Sequence, residues 1–173
     1  TFFSFDKDFR WFVNDAMVAR LEKSDDQKVW TVHMRPGLKW QDGAPLTAED
    51  ARWSFYAIMD ERVPCPAAKT GKESIEKVEA PDDLTVRITL KQVQPTTKWN
   101  VGWSIIPKHI YGKEQDKDPT LKDSEYYAKV NRDVIGNGPY RLLEWKENEK
   151  IVLERWPGYA GPKPHFQRIV FKI

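Results

Sequence analysis

One cysteine, Cys65, is all that the 173 residues contain, which excludes an internal disulfide and any cysteine-based zinc cluster. It sits in Val63-Pro64-Cys65-Pro66 with no histidine close in sequence, so nothing marks it as a nucleophile. An excess of one charge is missing too. The 28 Lys and Arg against 26 Asp and Glu leave a formal net charge of +2, far from the basic field that nucleic-acid binding draws on. No apolar run approaches the ~18 residues of a membrane-spanning helix. There is no charged-then-apolar leader, and the first residue is Thr1 rather than Met. The expectation is a piece of something longer, in which a missing leader says nothing about compartment. What the chain does have is 40% hydrophobic and 13% aromatic residues, eight of them Trp. That is enough for a buried core in one domain, and barely enough for two small ones.

A catalytic set is also lacking. His33, His109 and His165 have no His, Cys or Glu partner at metal-ligand spacing, so no metal is expected. Asp25-Asp26 and Asp82-Asp83 are carboxylate pairs, but each stands in a polar turn, where solvated Asp is the ordinary reading. Gly136-Asn137-Gly138-Pro139 places a proline where a phosphate loop needs a helix amide. No serine lies in a nucleophile elbow. The expectation is a protein that is not an enzyme and carries no cofactor.

The order of elements points to an α+β fold, mostly antiparallel hairpins with two or three helices. Residues 1–5 are aromatic and β-prone. Apolar residues at 9, 12, 13, 16, 17 and 21 recur near the helical period and predict a helix over 9–21. Residues 29–35 read as a strand ending at Pro36-Gly37, and Leu38-Lys39-Trp40 as a second, closed by Asp42-Gly43. Thr47-Ala48-Glu49-Asp50 resembles a capping box, with Ala51, Phe55, Ile58 and Met59 on one face of the helix behind it. Residues 62–72 read as a surface loop. Residues 75–80 and 84–90 form a hairpin, the second arm alternating cleanly. Tyr126-Tyr127-Ala128-Lys129-Val130 reads as the end of a short helix. Residues 140–145 and 150–156 form another hairpin after the turn at 136–139. A last strand, residues 168–173, runs to the end of the chain and wants a partner.

Most tryptophans lie in or beside these elements, where a core role is the ordinary one. Trp99 and Trp103 differ, because they flank Asn100-Val101-Gly102 in an irregular stretch ahead of Ile105-Ile106-Pro107. They are the candidate ligand-binding residues, as walls of a pocket for peptides or sugars. The alternative is a satellite cluster packed under the loop.

Three segments together carry a more specific signal. Val29-Trp30-Thr31-Val32-His33-Met34-Arg35-Pro36-Gly37-Leu38-Lys39-Trp40-Gln41-Asp42-Gly43, followed by Ala44-Pro45-Leu46-Thr47-Ala48-Glu49-Asp50, is the first. Ile106-Pro107-Lys108-His109-Ile110-Tyr111 is the second. The third is Asn137-Gly138-Pro139-Tyr140-Arg141-Leu142 with Ile151-Val152-Leu153-Glu154-Arg155-Trp156-Pro157-Gly158-Tyr159 and the strand at 169–173. In order and spacing over about 25–173 they resemble the family 5 extracellular solute-binding proteins, the dipeptide-, oligopeptide- and nickel-binding receptors of ABC importers. Residues 16–24 depart from that pattern, lacking its proline and small residues.

The resemblance implies a fragment of a two-lobed periplasmic-binding-protein fold. Residues of about 25–135 would form a small α+β subdomain, and about 136–173 would be strands of the amino-terminal lobe. It further implies capture of a peptide or other small solute by hinge closure and delivery to an ABC permease, on the periplasmic or extracellular face of the membrane. The turn and helix start at 42–50 would then be structural, not ligand contacts. An oligosaccharide receptor of the same fold, or an interaction module without transport, is the alternative.

Overall fold

The computed structural model describes residues 1–63, 73–117 and 132–173. Among these residues nine strands fall into three antiparallel sheets. Strands β1 (Phe3–Phe5) and β2 (Trp11–Val13) form a two-stranded ribbon. Strands β3 (Val18–Lys23), β4 (Val29–Met34), β5 (Ile75–Asp82) and β6 (Thr85–Leu90) make a four-stranded sheet in the order β3-β4-β6-β5. Strands β7 (Tyr140–Lys146), β8 (Lys150–Arg155) and β9 (Arg168–Lys172) make the third sheet, with β8 in the middle. Helices α1 (Ala48–Met59), α2 (Thr97–Asn100) and α3 (Lys108–Lys117) complete the described elements. The architecture is α+β, as its residue patterns indicate.

The four-stranded sheet owes its core face to a period of two. Trp30, Val32 and Met34 of β4 point inward with Val86, Ile88 and Leu90 of β6. The register sets Trp30 opposite Ile88 and Val32 opposite Val86, so apolar cross-strand pairs stack on one side. Leu84 lies just ahead of β6 and is partly exposed. Helix α1 covers this face with Ala48, Ala51 and Phe55.

Its start is held as the sequence suggests: the Thr47 amide donates to Asp50 Oδ2 at 2.9 Å, which satisfies one orphan donor of the helix N-terminus. Asp50 is buried and does more than cap. Its Oδ1 accepts from the Lys108 amide at 3.0 Å, so one carboxylate ties the starts of α1 and α3 together. The Trp40 Nε1 approaches Oδ2 at 3.4 Å.

The helix expected over 9–21 is not there. Residues 11–13 pair with β1, with Phe3 opposite Val13 and Phe5 opposite Trp11, and residues 18–23 pair with β4. Two short polar side chains divert the backbone. Asp6 Oδ1 accepts from the amides of Asp8 at 2.8 Å and Arg10 at 2.9 Å. Asn14 Oδ1 accepts from the Ala16 amide at 3.2 Å, and the Asn14 carbonyl accepts from the amides of Met17 and Val18. Such local bonds compete with helix formation, and strand pairing then decides. The near-helical spacing arose from two strands on either side of a turn, and Phe9 stands exposed with φ +58°.

Residues 38–40 form no strand. One bridge, Lys39 to Pro45, and bonds such as Trp40 amide to Ala44 carbonyl at 2.8 Å hold them as a tight loop. Gly43 takes φ +92° at its tip, a conformation that favours glycine. The final strand finds β8 as its partner, with Ile169 opposite Leu153 and Phe171 opposite Ile151. Most of the surface loop placed over 62–72, with Cys65, and the short helix ending at 130 lie outside the described residues.

Candidate functional site

The 38–46 loop and the third sheet meet at a seam built on one side chain, Gln41. Its Nε2 donates to the carbonyls of Tyr140 at 2.8 Å and Gly138 at 3.3 Å. Its Oε1 accepts from the Gly136 amide at 3.0 Å, and its own amide donates to the Gly136 carbonyl at 2.9 Å. A glutamine reads a backbone well because it offers donor and acceptor together.

Between these anchored positions the amides of Asn137 and Gly138 donate to no described group. The Asn137 side chain leans on Met17, Nδ2 to Sδ 3.6 Å. Behind the seam, packing of Met17, Leu38, Trp156 and Tyr159 leaves only about 10 Å³. In front lies an open hollow of about 270 Å³, walled by Gln41, Tyr140, Leu142, Trp145, Ile151 and Leu153. A β-bulge between Leu142 and Glu144 turns Trp145 onto the same side as Leu142. Small-molecule sites usually enclose at least ~300 Å³, and this hollow alone falls short of that. A second hollow of about 450 Å³ adjoins it, sharing Leu142 and Trp145 and adding Arg132, Asp133, Glu144 and Glu147.

Charged groups near the loop serve structure. Glu49 takes a bidentate contact from Arg52, at 2.6 and 2.8 Å, and a third from Lys108 Nζ at 2.8 Å. The Arg52 hydrogen bonds, outweighing partial burial and helped by Lys108, hold its carboxyl down at about 2. Asp42 meets His109 Nε2 at 2.7 Å and the Ala44 amide at 3.0 Å. Partial burial works against its charge, but these bonds win and keep its pKa below the usual value.

Asp25 and Asp26 are turn residues, whereas Asp82 ends β5 and Asp83 begins the turn after it. Asp26 accepts from Ser24 Oγ at 2.6 Å and the Lys28 amide at 3.0 Å, and Asp82 accepts from the Leu84 amide at 2.9 Å. His33 contacts Glu22 and Arg20 on the exposed side of the sheet. Among the described residues no three His, Cys, Asp or Glu side chains gather as a metal site.

Trp99 and Trp103 occupy different settings. Trp99, in α2, is 53% exposed and stacks one face on Phe5, 3.7 Å between ring centroids. Trp103 is partly buried against the core. Its Nε1 donates to the Ala51 carbonyl at 2.9 Å, and its ring lies 5.2 Å from that of Phe55. The seam was read in the sequence only as a turn. Nothing local marks Gln41, because its side-chain partners stand 95 to 99 residues away.

Two adjoining open hollows, two backbone amides that donate to no described group, and carboxylates engaged by neighbouring side chains thus characterise this seam. Residues 13–173 match the bacterial extracellular solute-binding proteins, family 5 (middle region), and the chain belongs to that family. It is 32% identical over 164 residues to the probable D,D-dipeptide-binding periplasmic protein DdpA of Escherichia coli, covering 93% of this chain and 30% of that one. It is 34% identical over 161 residues to the periplasmic oligopeptide-binding protein OppA of Salmonella typhimurium, covering 82% and 28%. Among solved structures, the ABC transporter substrate-binding protein CtaP of Listeria monocytogenes superposes with a TM-score of 0.77 at 34% identity, over 91% of this chain and 31% of that one. The chain thus spans under a third of the length of these relatives. Among the described residues no helix is long and apolar enough to cross a membrane.

Proposed function

We propose that the chain is part of a receptor that captures short peptides and delivers them to an ABC permease, on the periplasmic or extracellular face of the membrane. It is a holder of solute, not an enzyme. The observation that carries this reading is the Gly138 amide, which donates to no described group and belongs to the lining of an apolar hollow, with the Asn137 amide next to it in sequence likewise donating to no described group, in a chain whose relatives are named for dipeptides and oligopeptides. Backbone amides recognise a peptide main chain whatever its side chains, and a roomy apolar wall tolerates varied residues.

In this reading residues of about 25–135 act as the small subdomain and about 136–173 as strands of a lobe, with the second wall of the cleft supplied from elsewhere. Trp99 and Trp103 remain the aromatic candidates for ligand contact: Trp99 offers an open face, while Trp103 is anchored through its indole N–H and braces α1 beneath it. One wall alone leaves a ligand solvated, so residues 1–173 bind peptide weakly. Calorimetry with di- to pentapeptides tests this: weak or undetectable binding by this chain and tight binding by the longer gene product support it. Micromolar binding by residues 1–173 alone would overturn the one-wall reading. Sugar binding by the gene product without peptide binding would overturn the peptide assignment.

A further inference from the structure

Two lysine cations share one aromatic corner. Lys23 Nζ lies 3.7 Å from the ring centroid of Trp30 and 5.7 Å from that of Trp11. Lys98 Nζ lies 5.5 Å from the same Trp11 ring. Phe3 stacks on Trp11 with 5.3 Å between centroids and 26° between planes, so one face of that indole is taken. Both ammoniums therefore sit over its other face or along its edge. The aromatic faces attract each cation, but they neutralise neither.

Of the other basic side chains of this sheet, Arg20 pairs with Glu22 at 2.7 Å and Lys77 with Glu79 at 2.6 Å, and Arg87 stands opposite Glu79 in the register. Among the described residues no carboxylate lies within 4.0 Å of Lys23 or Lys98. Partial burial first, and the charge of Lys98 second, hold the Lys23 pKa below the ordinary lysine value. The corner also holds a buried donor, Trp11 Nε1, with no acceptor. Beside it, Phe5 pairs with Trp11 across the ribbon and carries Trp99, whose other side is open.

We propose that Lys23, Lys98 and the open side of Trp99 form a site for a small organic carboxylate bearing an apolar or aromatic group. The carboxylate supplies the counter-charge that both lysines lack, through charge-assisted contacts. The apolar group covers the exposed indole. The site uses residues of this chain alone and needs no second lobe, so it stands or falls separately from the peptide reading.

The test is a nitrogen-15 NMR titration of the 173-residue chain with phenylacetate, with acetate and phenethylamine as the charge-only and charge-reversed probes. Phenylacetate is expected to shift the indole resonances of Trp11, Trp30 and Trp99 saturably, with a Kd of about 1 mM. Acetate should bind several-fold more weakly, and phenethylamine should leave these resonances in place. Lys23→Gln and Lys98→Gln should each weaken phenylacetate about tenfold, with the remaining spectrum unchanged to show an intact fold. Absence of a saturable shift up to about 20 mM, equal binding of phenethylamine, or undiminished affinity in the double variant would overturn the site.

Discussion

Replacing Gln41 by alanine removes three side-chain hydrogen bonds that join the 38–46 loop to the third sheet, while the main-chain bond from residue 41 to the Gly136 carbonyl survives. A typical intramolecular hydrogen bond is worth about 1 kcal/mol net. The seam is only partly buried, so water takes over some of the released groups, and the expected loss is about 2 kcal/mol in all. For a chain of this length that lowers Tm by about 4–8 °C. Circular dichroism melts give the shift, and hydrogen exchange at the Gly136 amide, which loses its acceptor, places it in the structure. Gln41→Glu sharpens the test, because it keeps an acceptor for Gly136 but turns a carboxylate toward two carbonyls. Its loss should at least match that of Gln41→Ala at pH 7 and shrink when the acid is protonated. A Gln41→Ala protein within about 0.5 kcal/mol of the parent, with the Gly136 amide equally protected, would refute the staple.

Asp50→Asn should cost about 3 kcal/mol, because the new amide cannot accept from both the Thr47 and Lys108 amides; urea melts measure it. Glu49 has a folded pKa of about 2 against an ordinary 4.5, so its contribution is fully present above the unfolded pKa and is lost as pH falls from about 4.5 towards 2. Discounted for solvent screening, Glu49→Gln should cost about 1 kcal/mol at pH 7 and almost nothing at pH 2, flattening the acid limb of the stability curve. Trp103→Ala should lose about 3 kcal/mol through its cavity and the lost indole hydrogen bond to the Ala51 carbonyl, whereas Trp99→Ala should change stability by less than about 1 kcal/mol. Equal losses in the two variants would contradict their different settings.

How much was legible before the structure depended on how far each signal had to reach. The β4 strand declares itself through β-branched and aromatic residues and the β5–β6 hairpin through its alternating second arm, and the Thr47–Asp50 contact spans three residues. These are short-range patterns, and they reappear in place. Residues 9–21 misled because apolar spacing carries no record of competing bonds. The Asp6 and Asn14 side chains turn the backbone locally, but pairing of Trp11 with Phe5 and of Leu21 with Val32 is tertiary information. Gln41 was invisible as the joint between the 38–46 loop and the third sheet for the same reason. The indole of Trp103 likewise finds its acceptor 52 residues back, at Ala51, a contact no local pattern announces. Family resemblance reached further than periodicity, since motifs held in register across the chain already embody those distant contacts.

The central claim, a peptide-capturing receptor with its main-chain contacts at Asn137 and Gly138, is tested most directly by native mass spectrometry of the gene product that carries this sequence. The protein would be mixed with equimolar short peptides and oligosaccharides and compared with its Gly138→Pro variant, which removes one of the two amides that donate to no described group. Peptide adducts of mixed sequence on the parent, reduced at least about tenfold in the variant, are the predicted result. Adducts of sugars alone, or peptide adducts indifferent to position 138, would contradict it.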